Sequence, residues 1–189
     1  MFGLFNRSKN TVKNPKILLA SIGADDESLF AADREIYQSH FTDITEHKAA
    51  GISDFLDFIS GKTFDIVHLF AEVKPNGTVQ KTSGVQIFEH LSQAEAKLVL
   101  FASENSGDNY IAFSPKDKWR NIEPMNVVMT LERKGDLFPK FFKSLFGFMT
   151  SGDTMTQAWV KLAPQNPHLN QNAPEAIFSA GLGSMKFVP

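Results

Sequence analysis

Three nearly unbroken apolar runs constrain this chain more than anything else in it. They are Ile17-Leu18-Leu19-Ala20, the stretch 64–70 (interrupted only by Asp65 and His68), and Leu98-Val99-Leu100-Phe101-Ala102. A strand with one face in water alternates apolar and polar residues, whereas a strand covered on both faces reads as a continuous run. Helical spacing fills the intervals. Leu29, Ala32 and Ile36 recur at i, i+3 and i+7, after the acidic run Asp25-Asp26-Glu27 that suits a helix N-terminus. Ile52, Phe55, Leu56 and Ile59 share a face that Ser53 can cap and Gly61 can end. Ile87, Leu91 and Ala94 fit a third helical face. Leu137, Phe141, Leu145 and Phe148 track a Phe-rich helix whose polar side is Lys140, Lys143 and Ser144. Met155, Ala158, Trp159 and Leu162 follow Asp153 or Thr154 and stop at Pro164.

Weaker strand patterns occupy 42–46, 127–129 and 177–180. Strand and helix therefore alternate, which predicts an α/β fold: a single three-layer domain, its sheet mainly parallel and flanked by helices on both faces. Residues 1–15 read as a flexible N-terminal tail and 16–189 as the domain.

Composition removes several functions. Eighteen of the 189 residues are Phe, and burying each ring contributes ~1.5–3 kcal/mol, so a large core is available. A formal net charge of −2, with both signs mixed along the chain, argues against a nucleic-acid partner. There is no cysteine, which excludes disulfides, thiolate metal sites and thiol nucleophiles. No apolar run spans a bilayer and no signal-peptide core opens the chain, so the cytosol is the expected compartment. Phe2, Leu4 and Phe5, near Arg7, Lys9 and Lys13, amount at most to a weak membrane anchor.

Common motifs are missing. No P-loop or G-x-G-x-x-G follows the first strand, where Gly23 stands alone, and there is no G-x-S-x-G elbow. His40, Asp43, Glu46 and His47 form the densest group of metal-ligand types. On a strand, Asp43 and His47 face one side and Glu46 the other, so no metal site is expected there, and no cofactor.

Phe64-Asp65-Ile66-Val67-His68-Leu69-Phe70-Ala71-Glu72-Val73 resembles the stretch of the CHAT (caspase-like) family in which a strand ends in His-x-x-x-His-Gly, the second His being catalytic. Leu98-Val99-Leu100-Phe101-Ala102-Ser103-Glu104 resembles that family's Leu-Val-x-Leu-Ser-Ala-Cys-Glu, where Cys is the nucleophile. Further similarities follow in the family's order: a strand at 127–131, a Phe-rich helix and a following Gly at 138–152, a helix at 154–162, and a closing Pro-x-x-x-Phe strand at 174–178. The similarity runs over residues 16–183 and implies a caspase-like fold.

The departures matter more. The resemblance sets Glu72 where the family has its catalytic His and Ser103 where it has Cys. A serine hydroxyl is far less acidic than a thiol, and a carboxylate with an ordinary pKa near ~4 is too weak a base to activate it. The resemblance therefore implies a pseudo-protease: a non-catalytic protein-interaction module, an adaptor or regulator in a bacterial multi-protein system. Two surfaces are candidates for its partner. One is the polar excursion 104–124 with Tyr110, Phe113, Trp119 and Arg120, residue types enriched at interface anchors. The other is a strand-end groove edged by Glu72, Lys74, Ser103, Glu104 and Asn105. The alternatives are an enzyme of another class on a flavodoxin-like or TIR-like sheet, which the acidic loop after the first strand invites, and a subunit of a homo-oligomeric assembly.

Overall fold

The apolar runs become neighbouring strands at the centre of one sheet. The computed structural model describes residues 10–23, 27–114, 122–133, 136–163 and 174–188. In chain order the elements are β1 (Thr11–Lys13), β2 (Ile17–Ile22), α1 (Glu27–Gln38), β3 (Ile44–Ala49), α2 (Ile52–Ile59), β4 (Ile66–Phe70), the short hairpin β5 (Thr78–Val79) and β6 (Thr82–Ser83), α3 (Gly84–Gln93), β7 (Leu98–Phe101), α4 (Gly107–Phe113), β8 (Asn126–Glu132), α5 (Leu137–Thr150), α6 (Met155–Leu162), β9 (Glu175–Ala180) and β10 (Lys186–Val188). The main sheet has six strands in the order β3-β2-β4-β7-β8-β9, parallel throughout except for β9, which runs antiparallel to β8.

Alternate side chains of these strands feed two separate cores. Leu18, Val67, Leu69, Val99 and Phe101 meet α2, α3 and α4 on one face. Ile17, Leu19, Ile66, Leu98 and Leu100 meet α1, α5 and α6 on the other. Every residue of β4 and β7 is buried, which is why these segments lack the alternation of a half-wet strand. The fold is thus the mainly parallel, three-layer α/β arrangement that the runs predict.

Several local expectations need correction. The buried face of α1 is Phe30, Asp33, Ile36 and Tyr37, with Leu29 and Ala32 only half-buried. In α5 the buried residues are Phe138, Phe141, Phe142, Leu145, Phe146 and Met149, while Phe148 is exposed. With eight large apolar side chains to choose from, the helix turns its broadest stripe inward, and that stripe begins at Phe138 rather than Leu137. Ser53 does not cap α2: the N-cap is Gly51, and the Ile52 N–H donates to the Gln80 side chain. The polar 104–124 excursion holds a helix, α4, which Ser106 caps through the Asn109 N–H.

The tail boundary also moves. β1 pairs in parallel with β10, Val12 is buried, and the Lys186 N–H donates to the Asn10 carbonyl at 2.9 Å. Thr11 to Lys13 thereby belong to the domain, because a chain segment that finds an unpaired strand near the C-terminus gains both a ladder and a buried side chain. Residues 1–9, with Phe2, Leu4 and Phe5, lie outside the described residues.

Two outcomes follow from this packing. Leu100→Ala, in a strand with neighbours on both sides and helices on both faces, is expected to cost ~2–5 kcal/mol in chemical denaturation. Deleting residues 1–14 removes β1. Val12 alone contributes ~1.5–3 kcal/mol, which at ~2–4 °C per kcal/mol lowers the melting temperature by roughly 3–12 °C. A deletion that melts with the intact chain would return these residues to an idle tail.

Candidate functional site

The chain leaves β2 through α1 to reach β3 on one side, and then returns through α2 to β4 on the other. Connections that diverge in this way open a crevice between the carboxyl ends of the two central strands. Here the crevice is about 600 Å³, within the range of small-ligand clefts. Ile22 and Gly23 form its wall from β2, and Phe70, Ala71 and Glu72 its wall from β4. Ala102, Ser103 and Glu104 come from the end of β7, and Lys74, Val79 and Gln80 from the β5–β6 hairpin. Gly23 turns the chain away at φ +85°, a left-handed conformation that favours glycine. The hairpin is seated by Gly77, where a Cβ would lie 2.2 Å from the Ala112 carbonyl oxygen of α4.

Of the residues expected at the strand ends, Glu72, Lys74, Ser103 and Glu104 do line this crevice together. Parallel register brings them level, since Leu69 pairs with Phe101 and each strand ends within three residues. Glu72, Lys74 and Glu104 are exposed and Ser103 is half-buried. The Glu104 carboxylate accepts the Arg133 backbone N–H at 3.1 Å.

Asn105, Tyr110 and Phe113 are not partner-facing, which corrects the expectation for them. Asn105 is buried and sews the strand ends together: its Oδ1 accepts the Val73 N–H at 2.8 Å, and its Nδ2 reaches the Ala71 carbonyl and the Tyr110 hydroxyl. Tyr110 is 1% exposed, with its hydroxyl 3.1 Å from the carbonyls of both Ser103 and Thr130. Burial pushes its phenol well up. Phe113 packs edge-on against Phe101 at 5.1 Å. These side chains pin α4 to the sheet, the ordinary fate of an aromatic residue beside an apolar core. Trp119 and Arg120 lie outside the described residues.

The residues that sequence reasoning missed begin at the crevice wall, where Arg133 stands beside Phe70 and Phe138. Asp33 of α1, His68 of β4 and Arg133, just past β8, form one buried polar cluster. Arg133 donates from Nη1 and Nη2 to the two Asp33 oxygens, at 2.8 and 2.7 Å, and from Nη1 to the Ala102 carbonyl at 3.2 Å. His68 Nε2 lies 3.0 Å from Asp33 Oδ2, and its Nδ1 lies 2.6 Å from the Tyr37 hydroxyl. A carboxylate accepts only, so His68 donates its Nε2–H to Asp33, and its Nδ1 shares a hydrogen bond with the Tyr37 hydroxyl. The guanidinium rests over Phe138 at 4.4 Å, a cation–π contact. Burial pushes the Asp33 carboxyl up, but the hydrogen bonds and charges of His68 and Arg133 outweigh it and hold the group below the usual carboxylate range. Burial, with the Asp33 charge added, pushes the Tyr37 phenol well up. The available signals were a charged residue on the apolar face of a helix and a histidine inside an apolar run.

The His40, Asp43, Glu46 and His47 group does not converge. Glu46 takes a two-pronged hydrogen bond from Arg34, His47 stacks on Phe58 at 3.9 Å, and His40 bonds the Lys143 carbonyl. No helix among the described residues is long and apolar enough to cross a membrane. Compared with known proteins, the chain matches no family model and no curated sequence.

Asp33 makes stability depend on acid. Its folded pKa is below the unfolded value of ~3.9, so its contribution is complete above that value and is lost as pH falls through the folded pKa. Asp33→Ala, which strands a buried guanidinium, is expected to cost ~3–5 kcal/mol at neutral pH. Its denaturation midpoint should also fall less steeply than that of the wild type below about pH 4. Equal acid slopes in the two proteins would assign the acid sensitivity to other carboxylates.

Proposed function

We propose that this chain is a caspase-like domain whose protease position has become a binding crevice: a non-catalytic module that holds a segment of a partner protein. The observation that carries the proposal is the company Glu72 and Ser103 keep. They stand at the carboxyl ends of adjacent parallel strands, on one crevice, where the resemblance would set a catalytic His and Cys. No imidazole lines that crevice among the described residues. His68, on the strand that ends at the crevice, is wholly buried with both ring nitrogens engaged. A hydroxyl and a carboxylate without an imidazole accept and donate hydrogen bonds well but lack the base that nucleophilic attack requires. Mixed apolar and polar walls on a rigid sheet suit an extended peptide whose backbone needs partners.

The test is a peptide array, read for both cleavage and retention. Retention without cleavage is expected, and Ser103→Trp, which fills the crevice from its edge, is expected to weaken retention at least about tenfold, or ~1.4 kcal/mol. Cleavage abolished by Ser103→Ala or Glu72→Gln would make the chain an enzyme. Retention indifferent to Ser103→Trp would move the partner surface off the crevice.

A further inference from the structure

We propose that Arg133 couples the rim of the crevice to helix α1, so that a change at Glu104 is felt at Asp33 and Tyr37. Two sets of hydrogen bonds, joined by the Arg133 side chain itself, link an exposed carboxylate to a fully buried phenol. Glu104, at the mouth, accepts the Arg133 backbone N–H at 3.1 Å, and the Arg133 guanidinium grips Asp33 at 2.7 and 2.8 Å. Asp33 is met by His68 at 3.0 Å, and His68 by Tyr37 at 2.6 Å. Asp33 and Tyr37 lie one helical turn apart on the buried face of α1, so the far half of this chain is helix α1 itself.

Arg133 also touches the strands and helices around it. It bonds the Ala102 carbonyl at the end of β7 and lies over Phe138 of α5 at 4.4 Å and Phe70 of β4 at 5.6 Å. Its guanidinium can grip Asp33 only while the backbone that carries it is in place, and the Glu104 carboxylate holds that backbone through the Arg133 N–H. Groups that share one hydrogen-bonded network have non-additive energies, which is the coupling proposed here. The coupling is a property of the empty chain, so its failure would leave the binding proposal standing.

Amide hydrogen exchange followed by NMR on the full chain tests it, with Glu104→Ala, Glu104→Gln, Tyr37→Phe and the double variant Glu104→Ala/Tyr37→Phe. Glu104→Ala is expected to speed exchange in the second half of α1 at least about tenfold while α2 and α3, on the opposite face of the sheet, keep their rates. Glu104→Gln keeps an acceptor oxygen and should restore α1 to within about threefold. Reciprocity requires Tyr37→Phe to change exchange at the Arg133 amide. The double variant should miss the product of the single effects by at least about threefold. The proposal is overturned if α1 ignores Glu104→Ala, if the two changes multiply independently, or if α1, α2 and α3 accelerate together, which is global destabilisation.

Discussion

Asp33 is a carboxylate held wholly out of water, and the end of the sheet where the crevice opens is organised by how that charge is met. Burying an unpaired carboxylate costs several kcal/mol even after relaxation. Here the cost is offset by a guanidinium fork matched to both oxygens, by an imidazole N–H, and by an aromatic ring under the cation. These partners come from β4, from the chain just past β8, and from α5, so the charge is satisfied only when all three elements have docked on α1. An apolar replacement of the whole cluster could be as stable, which means the cluster contributes position more than stability.

That positioning reaches the crevice directly. Arg133 holds the Ala102 carbonyl from below and offers its own N–H to Glu104 above, while Asn105 and Tyr110 tie the ends of β4, β7 and β8 from the other face. The rim residues therefore project from a backbone clamped on both faces. A site of this kind is rigid in its walls and free in its exposed side chains, Glu72 and Lys74 among them. Such a surface is suited to recognition through hydrogen bonds and charge.

The layout was largely legible in the linear chain. Residues 17–20 and 98–102 announced covered strands because burial on both faces leaves no place for polar residues, and that demand is local. The ends of β4 and β7 could be located for the same reason, whereas Glu72 and Ser103 were singled out there only by the family resemblance. Five of the six described helices were equally plain, but α4, in the polar stretch, was not, and neither were the inward faces of α1 and α5. Asp33 falls among Leu29, Ala32 and Ile36 at helical spacing, but the spacing does not name the partners that let a charge be buried there, and it cannot choose between Leu137 and Phe138 when both are apolar. Tyr110 and Phe113 looked like surface anchors because they stand in a polar stretch, and only the docking of α4 on the sheet makes them core.

Tertiary structure alone decided which distant groups meet. Arg133 and Asp33 are 100 residues apart, His68 and Asp33 are 35 apart, and β1 pairs with a strand at the opposite end of the chain. Periodicity, propensity and capping act over a few residues, so they are written in order along the chain and can be read there. The neighbours of a buried charge are set by how the crossovers bring strands and helices together in space, and no local pattern along the chain encodes that distance.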